Sequence, residues 1–163
     1  MNATDTIAIP DRQAIDRDAE ALESLVDRAG RVWIGAGSPA VVYRIDTESK
    51  KIDRVIPVGS VPKFLAVSPD DSRLVVANWC SQDVSIIDTD TDREVKRIEV
   101  GLHPRGIAIT KDSATAYVAV MGGAKIVRIN LVDFSTHDIT SVGATPRHLV
   151  LSQIGRASCR ERV

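Results

Sequence analysis

The sequence lacks the marks of several protein classes. No apolar run approaches the eighteen or so residues that a membrane-spanning helix needs, so no membrane span is predicted. The formal net charge is −1, which argues against a nucleic-acid-binding surface, because such surfaces are clearly basic. Residues 1–13 are polar and have no hydrophobic core, so they are not a signal peptide. The cellular compartment stays unknown at this stage.

Cysteine and histidine are scarce, and they are not spaced like cofactor ligands. The chain has 2 cysteines and 3 histidines. Cys-x-x-Cys-His, His-x-His and Glu-x-x-His spacings do not occur, so the sequence predicts no cofactor and no metal. Cys80 has no base placed beside it by the sequence, so no catalytic thiolate is indicated.

A repeat is what the sequence does contain. A Gly-x-x-Pro step occurs at residues 59–62, 101–104 and 143–146, with a constant spacing of 42 residues. A fixed period of about forty residues is typical of a repeat architecture. The match extends through the whole period, since residues 64–68 correspond to 106–110 and 148–152.

Each period contains four short β-branched runs separated by turn residues. One such run recurs as VWIG at 32–35, LVVA at 74–77 and AYVA at 116–119. Runs of this length and punctuation favour antiparallel strands, and no helical period is visible inside the repeat. Four strands in about 42 residues predict an all-β fold, a β-propeller with four-stranded antiparallel blades, of which about three are present.

The period also predicts where the blades begin and end. We expect a partly helical or disordered segment at 1–22 and blades over 23–153, divided into a degenerate 23–59, then 60–101, 102–143 and an incomplete 144–153. Ile15, Ala19, Leu22 and Val26 also fit helical spacing, which favours a short helix within 11–25 as an alternative. Because the repeat places residues 24–26 on an innermost strand, we prefer a strand near Leu25.

Residues 154–163 interrupt the repeat. They read IGRASCRERV, where the preceding copies have a turn, and they match one translated frame of a widely used short-read sequencing adapter. We therefore interpret them as a non-native tail and the chain as a gene fragment, with a genuine basic tail as the alternative. Without Cys159 in that tail, Cys80 has no disulfide partner in this chain.

The repeat resembles a known family. Residues 104–109, 116–119 and 84–88 read PRGIAI, AYVA and VSIID, which is similar to the YVTN-type repeat of YncE-like β-propellers. The resemblance implies a full-length protein of about seven blades, from a bacterium or archaeon, frequently exported to the periplasm or outside the cell. Such proteins act mostly as binding scaffolds. The sequence departs from the family pattern at Ala124-Lys125-Ile126, where the usual polar loop is reduced.

Three cations follow the repeated prolines and are the candidate ligand-binding residues. Lys63, Arg105 and Arg147 would lie in a ring at the mouth of the central channel, with His103 beside them. Such a ring would attract a carboxylate or phosphate. The alternative is that each cation pairs with an acidic turn of its own or a neighbouring blade.

Other polar and aromatic residues favour structural roles. His103 and His148 are expected to be solvated loop histidines rather than metal or haem ligands. Asp88, Asp90 and Asp92 imitate the start of a calcium loop, but Arg93 stands where that loop needs glycine, so a polar hairpin turn is preferred. For Trp33 and Trp79 we expect inter-blade packing rather than ligand stacking.

The sequence therefore predicts a binding or interaction scaffold with no evident catalytic residues. Its partner would be an unknown protein or a small anionic ligand, and neither nucleic acid nor a membrane span is expected. The alternative is part of a propeller enzyme, either a lactonase-like hydrolase or a haem- or quinone-dependent oxidoreductase, whose catalytic residues lie in blades missing from this sequence.

Overall fold

The computed structural model describes residues 21–140, 142–152 and 157–160. The regular secondary structure of this part is almost entirely β-strand. The elements are β1 (Ala21–Val26), β2 (Val32–Ala36), β3 (Val41–Asp46), β4 (Lys51–Pro57), β5 (Pro62–Val67), β6 (Arg73–Asn78), β7 (Asp83–Asp88), β8 (Arg93–Glu99), β9 (Pro104–Ile109), β10 (Thr115–Val120), a 3-10 turn (Met121–Gly123), β11 (Lys125–Asn130), β12 (Thr136–Ile139), β13 (His148–Leu151) and β14 (Ala157–Arg160).

Consecutive strands pair antiparallel and form three four-stranded sheets. The strand orders are β1-β2-β3-β4, β5-β6-β7-β8 and β9-β10-β11-β12, and β13 pairs with β14. We call the three sheets blade 1, blade 2 and blade 3. The predicted all-β fold of four-stranded propeller blades is confirmed. No helix in the described part is both long and apolar enough to cross a membrane.

The strands near the two ends of the chain concern the predicted N-terminal helix and the predicted non-native tail. Leu25 lies in β1, so the strand that we preferred near Leu25 is present, and residues 21–26 do not form the alternative helix. Residues 11–20, the remainder of that helix, lie outside the described residues. β14 lies within the segment 154–163, whose origin as a non-native tail stays a prediction.

The first strands of successive blades lie side by side. β1 contacts β5, β5 contacts β9, and β9 contacts β13. The approach is close at Gly106, where an added Cβ would come within 2.5 Å of the Arg147 carbonyl oxygen and 2.9 Å of the His148 Cα. Glycine is needed at Gly106 because neighbouring backbone fills the space of a side chain. These strands are therefore the inner ring from which the blades radiate.

The hydrophobic core lies between the blades. On β6, Val76 packs in a cluster with Trp33 of blade 1, whereas Val75 packs in a cluster with Ile107 of blade 3. Because successive side chains of a strand point to opposite faces, a blade covered on both sides needs apolar residues at every position. This explains the uninterrupted run from Leu74 to Ala77, whose side chains are all fully buried.

A side-chain hydrogen-bond pattern closes the first turn of blades 2 and 3. In blade 2 the Ser68 Oγ accepts from the Arg73 backbone N–H (2.9 Å) and donates to the Asp70 carboxylate (2.5 Å). Thr110 makes the same two bonds in blade 3, to Thr115 and Asp112. Turns of this kind suit Ser, Thr and Asp because short polar side chains satisfy nearby backbone groups.

Asp70 makes part of the stability dependent on acid. The Ser68 hydroxyl is the main cause that lowers the pKa of Asp70 to about 2, from an ordinary value of 3.8. A carboxylate whose pKa is depressed by folding stabilises the fold above its unfolded pKa, and that contribution is lost as the pH falls from about 4 to about 2. When the pH is lowered from about 5 to about 2.5, we expect the melting temperature of the Asp70→Asn variant to fall less than that of the unmodified chain.

Thermal unfolding followed by circular dichroism at the two pH values measures this loss. Asp90→Asn is the control, since the exposed Asp90 carboxylate binds no described residue, and this variant should lose as much as the unmodified chain. Equal acid sensitivity of Asp70→Asn and the unmodified chain would contradict the assignment.

The segment with calcium-loop spacing is a hairpin turn between β7 and β8. The Asp88 carboxylate accepts from the backbone N–H groups of Asp90 (3.1 Å) and Thr91 (2.9 Å). Asp92 has a φ of 55° and pairs with Arg44 of blade 1 at 2.6 Å. The preferred interpretation, a polar hairpin turn, is confirmed. Within the described ranges, no three His, Cys, Asp or Glu side chains come together as a possible metal site.

Candidate functional site

The Gly-x-x-Pro steps build one end of the blades. In the first two steps the third residue takes a left-handed conformation, with φ of 56° at Val61 and 58° at His103, and the proline then begins β5 or β9. In the third step the inner strand β13 begins at His148, two residues after the proline. Gly101 also has a positive φ, of 109°. Glycine is favoured at Gly101 because it has no Cβ to oppose that conformation. We call the end of the blades where β5, β9 and β13 begin the channel mouth.

The steps of blades 2 and 3 are each pinned to a second loop of the same blade. In blade 2, the Trp79 and Cys80 N–H groups donate to the Val61 and Ser60 carbonyls at 2.9 and 3.1 Å. In blade 3 the equivalent bonds run from Met121 to His103 (3.2 Å) and from Gly122 to Leu102 (3.0 Å). The mouth is therefore a surface of paired loops that backbone hydrogen bonds hold in place.

The three candidate cations lie at the start of successive inner strands. Lys63 and Arg105 are the second residues of β5 and β9, and Arg147 directly precedes β13. Since the inner strands lie side by side and run in the same direction, the cations line one end of the blades. Lys63 and Arg105 are half-buried and Arg147 is exposed.

None of the three cations forms an ion pair with any described residue. Within residues 21–140 and 142–152, the three cations therefore do not form the alternative arrangement, in which each pairs with an acidic turn. Elsewhere in the blades such pairs are frequent, and they involve Arg31, Arg44, Arg54, Arg73, Arg97 and Lys125. The charge of the mouth cations is left available to solvent or to a ligand.

His103 and Trp79 stack on each other at the mouth. Their ring centroids are 4.6 Å apart and the ring planes are inclined by 21°. The stack joins the β6–β7 loop of blade 2 to the Gly-x-x-Pro step of blade 3, so Trp79 does take part in inter-blade contact. Trp79 is half-buried and His103 is exposed, so part of this aromatic surface faces outward. Leu102, next to His103, is 48% exposed.

The two other histidines lie in different places, since His148 begins β13 at the channel mouth and His137 lies away from it. His148 makes an edge-on contact with Phe64, with ring centroids 6.5 Å apart. His137 is on β12, the outermost strand of blade 3. Trp33 is fully buried between blades 1 and 2, so its expected packing role is confirmed.

A buried polar cluster supports the mouth of blade 2, and sequence reasoning missed it. The Asn78 amide donates to the Asp83 carboxylate (2.6 Å) and to the Ser85 hydroxyl (2.9 Å). The Ser81 hydroxyl accepts from the Ser60 backbone N–H at 2.9 Å. Polar residues inside the apolar runs of β6 and β7 were the available signal. The cluster ties both mouth loops of blade 2 to its strands, because buried polar groups require such partners.

The cluster is a feature of blade 2 and not of the repeat. One period later, Asn78, Asp83 and Ser85 correspond to Val120, Lys125 and Val127. The Lys125 ammonium pairs with Asp138 on β12 at 2.6 Å. The mouth loops of blade 3 are therefore supported by apolar packing and one ion pair instead.

Comparison with curated proteins finds a weak similarity. No family model matches the chain. Antigen Lp49 of Leptospira interrogans is 23% identical over 122 residues, which are 73% of this chain and 26% of that protein. The chain thus spans about a quarter of the length of this relative.

Comparison with solved structures finds β-propellers and WD40-like proteins. Hydrazine synthase of Kuenenia stuttgartiensis is 28% identical with a TM-score of 0.79, over 95% of this chain and 44% of that one. Virginiamycin B lyase from Staphylococcus aureus is 17% identical, with a TM-score of 0.74, 87% coverage of this chain and 49% of that one. U3-55K is 15% identical, with a TM-score of 0.70 and coverages of 77% and 41%. The chain spans less than half of each, and the likeness shows the β-propeller fold.

Proposed function

We propose that this chain supplies blades of a bacterial YVTN-type, YncE-like β-propeller that acts as a binding scaffold. In this proposal the sequence is a fragment of that protein. The channel mouth binds an anionic group, which belongs to a protein partner or to a small ligand. The 42-residue repeat and the four-stranded blades support the propeller part of the proposal. The WD40 repeats named among the similar structures support a role in protein interaction.

The observation that carries the proposal is the row of cations without acidic partners. Lys63, Arg105 and Arg147 occupy the same place in three successive repeats, and no described carboxylate neutralises them. Charges of one sign at the rim of a cleft concentrate ligands of the opposite sign. Arginine adds geometric fit, since its guanidinium donates two parallel hydrogen bonds to a carboxylate or phosphate.

The aromatic stack beside the cations supplies apolar contact area. The outward part of Trp79 and His103, with Leu102 next to it, adjoins the start of β9, where Arg105 lies. Tryptophan and arginine are enriched at the centres of protein interfaces. A partner that presents an acidic group next to an apolar side chain therefore fits this end better than a purely apolar one.

Charge reversal tests the proposal. In the full-length protein, Arg105→Glu with Arg147→Glu should weaken binding of a fluorescein-labelled octaglutamate peptide at least about tenfold, because two attractive charges become repulsive. Fluorescence anisotropy at low and at physiological salt measures the affinity. The loss should shrink at high salt, since salt screens exposed charges.

The matched control reverses two cations far from the mouth. Arg93 and Lys96 are exposed on β8, the outermost strand of blade 2, and they form no ion pair with the described residues. Arg93→Glu with Lys96→Glu changes the net charge equally and should leave the affinity within about twofold. Equal losses in both double variants would indicate a general charge effect and remove the mouth as the site.

A propeller enzyme is the second proposed function. Hydrazine synthase and virginiamycin B lyase are among the structures that share the fold, so catalytic members exist with similar blades. In this version the catalytic residues, of a lactonase-like hydrolase or a haem- or quinone-dependent oxidoreductase, lie in blades beyond this sequence. A visible absorption spectrum of the full-length protein separates a haem-dependent enzyme from a scaffold, because a bound haem absorbs strongly there and a colourless scaffold does not.

A further inference from the structure

We propose that the face of blade 3 that points away from blade 2, centred on Arg128, is a docking surface for a further β-blade. That blade would present a carboxylate from the turn between its third and fourth strands. The proposal rests on how the same two positions of the repeat meet at the other blade interfaces. It is independent of the channel mouth.

An arginine and an aspartate meet at the interface between blades 1 and 2. The Arg44 guanidinium on β3 binds the Asp92 carboxylate, on the outer turn of blade 2, at 2.6 Å. Asp53, on blade 1 itself, also binds Arg44 at 2.7 Å. The Arg44 side chain is 13% exposed. A partly buried guanidinium with hydrogen-bonded carboxylates on both sides is a specific contact, because loss of either partner leaves a desolvated charge.

At the interface between blades 2 and 3 the same two positions are apolar. Ile86 stands 42 residues after Arg44, and Phe134 stands 42 residues after Asp92. Ile86 and Phe134 pack in one hydrophobic cluster. The turn residue has the same left-handed conformation each time, with φ of 55° at Asp92 and 62° at Phe134. The two positions are therefore matched in chemistry, arginine with aspartate and isoleucine with phenylalanine.

On blade 3 the first position is again arginine. Arg128 stands 84 residues after Arg44, and it is paired in register with Tyr117 on β10, as Arg44 is paired with Trp33 on β2. Arg128 is exposed and forms no ion pair with any residue in the described ranges. His137, which stands 84 residues after Asp53, is paired in register with Arg128 and brings no carboxylate to it. The neighbouring Asp138 is paired with Lys125 instead. Arg128 borders an open depression, which is lined by Arg128, Asn130, Ser135, Thr136 and His137.

The occupant that fits is the outer strand pair of the blade whose inner strand is β13. β13 already lies beside β9 in the inner ring. Because equivalent positions of the 42-residue repeat meet at each blade interface, the turn of that strand pair would face Arg128. A carboxylate in that turn would reproduce the contact of Arg44 with Asp92. Blade 1 of a second copy fits poorly. Its turn residue at this position is Lys50, with a φ of 56°, and a lysine facing Arg128 is repulsive.

A chimera tests the inference directly. Residues 1–152 are followed by a copy of residues 69–101, which keeps the register because Ser152 stands 84 residues after Ser68. The copied turn then carries the aspartate opposite Arg128. We expect Asp92→Lys in the copy to raise the unfolding equilibrium constant at least about tenfold, as loss of a partly buried pair does. Urea unfolding followed by circular dichroism gives the constant.

Two compensating pairs make the result specific. Arg128→Glu combined with the copied Asp92→Lys restores the attraction with the charges exchanged. Arg128→Ile combined with the copied Asp92→Phe reproduces the pair found between blades 2 and 3. Both should recover most of the lost stability. A chimera that is equally stable with aspartate or lysine at the turn overturns the proposal, and so does one that folds only with lysine.

The unmodified chain provides a second measurement that does not depend on the chimera. Asp92→Lys in this chain places a lysine against Arg44, and it should raise the unfolding equilibrium constant by a similar factor. Arg44→Ile with Asp53→Val and Asp92→Phe, which copies Ile86, Val95 and Phe134 one period later, should restore it. If Asp92→Lys leaves the constant unchanged, the interface does not select for charge at these positions, and the proposal is overturned.

Discussion

Replacing Trp33 with alanine is expected to lower the free energy of unfolding by about 4 kcal/mol, the range typical of a buried aromatic side chain. Trp33 is fully buried and packs with Val42 of its own blade and with Leu74 and Val76 of blade 2. Because strands of two blades surround the ring, the surrounding structure cannot collapse fully into the space that is left. The urea midpoint, followed by circular dichroism, measures the effect.

The indole N–H adds to the cost. Trp33 Nε1 donates to the buried Asp27 carboxylate at 2.9 Å. Burial alone would raise the pKa of Asp27, but hydrogen bonds from Trp33 and Arg31 bring it below the ordinary value of 3.8. Trp33→Phe keeps most of the packing but removes this donor together with part of the indole ring, so we expect a smaller loss of about 1–2 kcal/mol.

Trp79 is the matched control for Trp33. It is half-buried, and its ring contacts His103 rather than the core between the blades. Trp79→Ala should therefore cost about 1 kcal/mol. If the two alanine variants were equally stable, the core between blades 1 and 2 would not be centred on Trp33.

Replacing Gly59 with alanine is expected to cost about 3 kcal/mol, at the upper end of the range for an overpacked site. An added Cβ would lie 2.5 Å from the Asn78 amide nitrogen and still closer to the Asp83 carboxylate and the Ser81 hydroxyl. These groups belong to the buried polar cluster, so moving them apart breaks hydrogen bonds that have no replacement in the interior.

Gly123→Ala is the control for Gly59→Ala. The nearest atoms to its added Cβ are on the Lys125 and Val120 side chains, at 3.3 to 3.5 Å. Flexible side chains accommodate such a contact, so the loss should stay below about 1 kcal/mol. Calorimetric melting of the two variants gives the comparison, and a Gly59→Ala variant as stable as Gly123→Ala would contradict the close packing described for the mouth.

The repeat made the blade architecture predictable. A strand within a blade has two covered faces, so its sequence is a short apolar run, and four such runs in 42 residues have few other arrangements. The position of Lys63, Arg105 and Arg147 at one end followed from the same arithmetic, since equivalent residues of a propeller are related by rotation. Trp33 was correctly predicted to lie between blades for the same reason.

The partners of charged side chains could not be predicted in this way. The sequence left two interpretations of the mouth cations, and only the tertiary structure shows that no described carboxylate reaches them. The cluster around Asn78 was missed, although its polar residues are visible in the runs of β6 and β7. Whether such a residue is buried depends on loops that fold over it from elsewhere in the chain.

The sequence by itself determined the period, the strands and the end of the blades at which the repeated cations lie. These are local properties, set by the alternation of side chains and by glycine and proline at turns. Only the tertiary structure decided that Arg44 meets Asp92 while Arg128 stays exposed without a carboxylate partner among the described residues. Contacts between blades join residues about 50 positions apart, and they depend on how whole sheets pack rather than on the preference of any one segment.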